Sequence, residues 1–92
     1  MPDTAPLVTI ADAVPRTVSR IEGAIVSIEV APQEGPCELI ARISDGTGVL
    51  DGVFMGRRII PGITPGVRIG VQGTVVAAVE APRIFNPAYE LL

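Results

Sequence analysis

At 92 residues and a net charge of −3, the chain has room for one domain with one core, and ten acids against seven arginines count against a simple basic nucleic-acid-binding protein without settling the matter. It has no histidine, no lysine and one cysteine, Cys37, which excludes histidine-based triads, Schiff-base lysines, internal disulfides and Cys/His zinc sites. No apolar run approaches the ~20 residues that span a bilayer and no signal-like start is present, so the expectation is a cytoplasmic protein with no membrane partner.

Nearly half of the residues are apolar, and Val, Ile, Leu and Ala dominate them, a mix that suits strands. Residues 1–8, with Pro2, Asp3, Thr4 and Pro6, read as a flexible lead-in. Thr9 can cap a short helix over residues 10–14, with Asp12 in the acidic position of a capping box and Pro15 ending it. From Thr17 the period becomes two and continues to Val30 as one long strand. Ile21 points inward before Gly23, and Ala24, Val26, Ile28 and Val30 after it, which predicts a β-bulge at Gly23.

Residues 31–36 read as a loop, and a second strand over 38–44 places Leu39, Ala41 and Ile43 on one face. Asp45-Gly46-Thr47-Gly48 turns the chain, and residues 49–55 return with Leu50, Gly52 and Phe54 inward. Pairing Ser44 with Val49 sets Arg42 opposite Asp51 and Ile40 opposite Val53 on the outward face. Residues 56–66, rich in Pro and Gly, predict a connector with at most one helical turn. A fourth strand follows over 67–76 with Val67, Ile69, Val71 and Val75 inward, then a turn at Glu80-Ala81-Pro82 and a fifth strand over 83–86 stopped by Pro87. Five short strands, the first long enough to bend across two sheets, predict an all-β barrel, with residues 9–92 as a single domain.

Gly23-x-x-Val26, Asp45-Gly46-Thr47-Gly48, Phe54, Pro65-Gly66-x-x-Ile69-x-Val71-x-Gly73 and Phe85-Asn86-Pro87-x-Tyr89-Glu90 stand in that order. Over residues 18–92 this run resembles oligonucleotide/oligosaccharide-binding (OB) domains, above all the wedge domain of the RecG helicase and stand-alone bacterial OB-fold proteins. The arginine-only set of cations resembles high-GC actinobacterial proteins. The resemblance implies a five-stranded Greek-key OB-fold barrel with a short N-terminal helix. It also implies a default role in binding nucleic acid, either single-stranded DNA or RNA or branched DNA. It does not carry over the helicase motor, because no Gly-x-x-x-x-Gly-Lys-Ser/Thr loop is present.

The residue-level expectation is therefore a non-catalytic binding module, with no cofactor and no metal. Candidate nucleic-acid contacts are Arg42, Arg57, Arg58, Arg68 and Arg83, with Phe85 and Tyr89 read equally as stacking rings or as closure of the barrel end. Each arginine has a plainer reading as surface charge, and Arg42 has Asp51 across from it. The outward positions of the second and third strands hold Ile40, Arg42, Val49, Asp51, Val53 and Met55, none aromatic, and Phe54 falls on the core side. That outward apolar set supports the alternative of a protein partner or a homodimer, to be broken by Val53→Asp.

Overall fold

Fourteen consecutive residues, Val18–Ala31, form strand β1, and two other strands are built on it. In the computed structural model, which describes residues 5–31 and 36–92, its first half pairs antiparallel with β4 (Arg68–Thr74), from Val18 opposite Thr74 to Ala24 opposite Arg68. Its second half pairs with β2 (Glu38–Ser44), from Ala24 opposite Ser44 to Ala31 opposite Glu38. Most of the loop expected at 31–36 and the first four residues lie outside the described part of the chain.

A strand that serves two ladders must bend, and the bend is made by a β-bulge. Ile25 faces Ile43 while Ser27 faces Arg42, which leaves Val26 as the extra residue. This corrects the expected bulge at Gly23. Ile21, Gly23 and Ile25 keep one unbroken inward parity. Gly23 is there for space, since a Cβ would lie 2.5 Å from the Ser44 carbonyl oxygen. Val26, apolar yet half exposed, disguised the true position of the shift.

β2 and β3 (Val49–Met55) form the expected hairpin in the expected register, Ser44 with Val49, Arg42 with Asp51 and Ile40 with Val53. Its turn also has a second task. The Asp45 carboxylate accepts from the Ile10 N–H (2.9 Å), the Thr47 N–H (2.9 Å) and the Thr47 hydroxyl (2.6 Å), and Thr47 Oγ1 accepts from the Ala11 N–H. Two amides at the start of the 3₁₀ turn Ile10–Asp12, which Thr9 caps as expected, thus find partners some 35 residues away in sequence. Ile10 is thereby pressed into the core. Residues 6–8 do not lead in freely: the Arg20 N–H donates to the Pro6 carbonyl and the Val8 N–H to the Arg20 carbonyl, beside β1.

The connector contains no helix. It makes two successive Pro-Gly turns, closed by Ile63 N–H to Ile60 O and Val67 N–H to Thr64 O, with Gly62 and Gly66 at positive φ as a type II turn requires. The expected fifth strand over 83–86 is present, and beyond Pro87, where the sequence reading stopped, a sixth strand follows. β5 (Arg83–Phe85) runs parallel to β3, and β6 (Ala88–Leu91) runs antiparallel to β4. The sheet order is β5-β3-β2-β1-β4-β6, so its ladder is not closed by hydrogen bonds, but its two edges are consecutive pieces of one segment. With that segment counted as one broken strand, this is the strand plan of the OB barrel.

Asn86 makes the corner. It sits at φ 47°, its N–H donates to the Val53 carbonyl (2.6 Å), and its side-chain oxygen accepts from the Met55 N–H (2.9 Å). β6 is then held across β4 by Arg20, which lies over Gly70 and reaches Glu22 on its own strand (3.0 Å) and Glu90 (2.7 Å). Inside are Ile21, Ile25, Leu39, Ile43, Ile69 and Ile84, all fully buried. Among the described residues no helix is long and apolar enough to cross a membrane.

Asn86→Ala removes one hydrogen bond and adds left-handed strain, so it is expected to cost about 2 kcal/mol; Asn86→Gly keeps the conformation and should cost about 1 kcal/mol, measured by urea unfolding. Partial burial pushes the Asp45 carboxyl up, but the hydrogen bonds from Thr47, Ile10 and Gly48 outweigh it and hold the group below its ordinary value. A depressed carboxyl stabilises the fold above its unfolded pKa, and that contribution fades as pH falls through the folded value. Asp45→Asn should therefore cost about 1 kcal/mol at neutral pH, and the gap to the wild type should close on acidification below about pH 4.

Candidate functional site

The outward face of β1, β2 and β3 carries an open groove of about 690 Å³. Its floor is made by Ser27 and Glu29 beyond the bulge of β1, by Glu38, Ile40 and Arg42 on β2, and by Asp51 on β3. The groove wall is the hairpin between β4 and β5. Val76 and Arg83 exchange two backbone hydrogen bonds (2.7 and 2.8 Å), and Ala78, Val79, Glu80 and Ala81 between them border the groove.

At the centre, the hairpin register brings Arg42 and Asp51 side by side, and they pair through two hydrogen bonds, Nε to Oδ1 at 2.9 Å and a terminal nitrogen to Oδ2 at 3.1 Å. The same guanidinium lies 3.5 Å from Glu80 on the wall, and the Asp51 N–H donates to the Pro82 carbonyl, so wall and floor are tied together twice. Hydrogen bonding to Asp51 and then its charge raise the Arg42 pKa, against a smaller opposing effect of burial, so Arg42 stays a cation. Asp51 is 3% exposed, and its charge is tolerated there because Arg42 meets both oxygens.

Of the sequence-derived candidates, Arg42 and Arg83 line the groove. Arg83 stands beside Asp51 in the β3–β5 register, and Phe85, two residues further on the same face, stands beside Val53 and is 42% exposed. Phe85 itself does not line the groove, and the structure does not bring the other four candidates into it either. Arg57 and Arg58 are exposed on the connector, Arg58 at a separate cleft, and Arg68 is exposed at the start of β4. Tyr89 sits on β6 with its ring edge-on to Phe54, centroids 5.6 Å apart. Phe54 itself is core, as expected. Among the described residues the side chains of Arg57, Arg58, Arg68 and Arg83 make no ion pair, whereas Arg42 is paired with both Asp51 and Glu80.

The groove therefore holds four carboxylates, Glu29, Glu38, Asp51 and Glu80, against two arginines. Sequence reasoning already set Glu29 on the outward side of β1 but missed it as a floor residue, because it took the binding face from the second and third strands alone. It read residues 80–82 as a bare turn and not as a wall. The expected outward apolar patch is also corrected: Val53 is fully buried, Ile40 and Val49 are half-buried, and only Met55 is exposed. β5 and the hairpin before it cover the edge of β3, so Val53→Asp would disrupt folding and could not report on association.

Arg42→Met leaves the Asp51 carboxylate buried without its partner and should destabilise the domain by up to about 3 kcal/mol, less than a fully enclosed pair because Arg42 keeps about a third of its exposure. Adding Asp51→Leu to Arg42→Met should recover most of that loss. Urea unfolding of the single and double variants measures both.

No family model matches the sequence, and no curated protein matches it. Among solved structures, the chain is similar to the replication factor A related protein of Methanobacterium thermoautotrophicum, with a TM-score of 0.74 at 15% identity over 100% of this chain and 96% of that one. It is also similar to a chain of the S. pombe Stn1-Ten1 complex, with a TM-score of 0.61 at 22% identity over 82% of this chain and 57% of that one. At such identities the likeness is one of fold.

Proposed function

We propose that the protein is a non-catalytic OB-fold module that binds single-stranded or branched nucleic acid in the groove over β1, β2 and β3, weakly and without sequence preference. The observation that carries this reading is the groove itself. It lies on the face of the second and third strands, beside the loop between the fourth and fifth, where OB barrels take extended oligomers. The fold shared with a replication factor A related protein supports it. So does the resemblance of residues 18–92 to the RecG wedge, which extends the expected ligands to forked DNA.

Arg83 would meet phosphate, and Phe85 beside it would offer a ring to a base, a contact worth about 1–3 kcal/mol. Arg42 would contribute less, because Asp51 and Glu80 already hold it. Binding should be weak, since a strand entering the groove approaches an excess of carboxylates. Backbone contact and stacking read no base edges, which accounts for the lack of sequence preference.

Fluorescence anisotropy of labelled single-stranded and forked DNA and single-stranded RNA, at two salt concentrations, tests this. The expected dissociation constant is on the order of 10⁻⁴–10⁻⁵ M, weakening with salt. Phe85→Ala should weaken binding by about tenfold, and Arg83→Ala should lower the salt slope by about one. Glu29→Gln with Glu80→Gln should strengthen binding. Absence of saturable binding, or binding indifferent to salt and to these four positions, would sink the proposal.

A further inference from the structure

The side of β1 that pairs with β4 runs out of partner at Ala24. Ile25 still exchanges bonds in that direction, donating to the Val67 carbonyl and accepting from the Gly66 N–H, but among the described residues no backbone group bonds to β1 on that side beyond it. Ile25 faces that edge and Val26 is the inserted residue, so alternation resumed after the bulge turns the N–H and C=O of Ile28 and Val30 to the same free edge. A strand edge of this kind is a template for another extended chain.

The free edge borders a second cleft, separate from the groove. The cleft measures about 290 Å³ and is bordered by Ile28, Leu39, Ile60 and Ile63, with Ile59 79% exposed at its margin. Arg58 stands at the cleft and Arg57 next to it in sequence, both exposed and without an ion pair among the described residues. An unpaired cation at the apolar cleft, with a second adjoining it in sequence, stands against the chain's net charge of −3.

We propose that the edge at Ile28 and Val30, the cleft and the two arginines form a β-augmentation site for an extended segment of a partner protein. The segment presents apolar side chains to the cleft and acidic ones to Arg57 and Arg58. Alternating donors and acceptors along a strand edge match a peptide backbone, which carries the same alternation, and do not match a phosphate backbone, which has acceptors only. A second copy fits less well, because antiparallel pairing of two such edges would bring Glu29 of each protomer towards the other. This site goes beyond the nucleic-acid groove and does not depend on it.

The probe is a labelled peptide of about ten residues alternating valine with glutamate, beside a second in which lysine replaces glutamate. On titration into ¹⁵N- and methyl-labelled protein, the amides of Ile28 and Val30 and the methyls of Ile28, Ile59 and Ile63 should shift with the glutamate peptide and not with the lysine one. Arg57→Glu with Arg58→Glu, both exposed, should weaken binding by about tenfold. Val30→Pro removes an N–H that β2 does not use and should abolish it; if that variant fails to fold, the arginine variant decides. No saturable shift up to about 1 mM peptide, shifts centred on Ile40 and Arg83, equal binding of the lysine peptide, or perturbation of the same amides by single-stranded DNA or by dimerisation alone would each overturn the proposal.

Discussion

The corner at Asn86-Pro87 is the constraint on which the barrel depends. Without β5 and β6 the sheet would end at β3 on one side and at β4 on the other, and a single segment, residues 83–91, covers both. It does so by ending one strand and starting another within two residues, and the left-handed turn at Asn86 is fixed by a backbone and a side-chain hydrogen bond to β3. An asparagine suits the place because it tolerates that conformation and supplies the acceptor that the Met55 N–H needs. Pro87, buried at the corner, cannot extend the β5 ladder, so the chain is released towards β4.

The bulge at Val26 is the counterpart of the corner within β1. Together they let two long segments each serve two neighbours, which is how 92 residues enclose a core with almost no helix. They also shape both candidate surfaces. The bend in β1 tilts Ser27 and Glu29 onto the groove floor, and beyond it the strand loses contact with β4 and leaves an edge beside the apolar cleft. On the β3 side, pairing with β5 brings the 76–83 hairpin over the outer face, where Arg42 holds it through Glu80 and buries Asp51 beneath it.

Electrostatics separates the two surfaces. The groove spends its central cation, Arg42, on the carboxylates of Asp51 and Glu80, so for the proposed nucleic-acid ligand shape and stacking would have to supply what charge does not. The connector, by contrast, keeps two arginines unspent beside an apolar cleft. The two proposals therefore use different faces, one for a nucleic-acid strand and the other for a protein segment.

The sequence by itself determined the all-β class, the β2–β3 register to the residue, the Pro-Gly connector, the Thr9 cap and the burial of Phe54. Each follows from local pattern: alternation, turn length, or a proline and glycine whose backbone preferences act within a few residues. Only the tertiary structure decided where β1 bulges, because an exposed valine and a buried glycine reverse their usual meanings when strands pass within 2.5 Å of a would-be Cβ. Only it added a strand beyond Pro87, since Asn-Pro reads as a stop until the second partner, β4, is in place. It also decided which arginines share a surface. Arg42 and Arg83 are brought together by pairings 41 positions apart along the chain, while Arg57 and Arg58, adjacent to each other in sequence, are carried away by a connector whose path the barrel alone fixes.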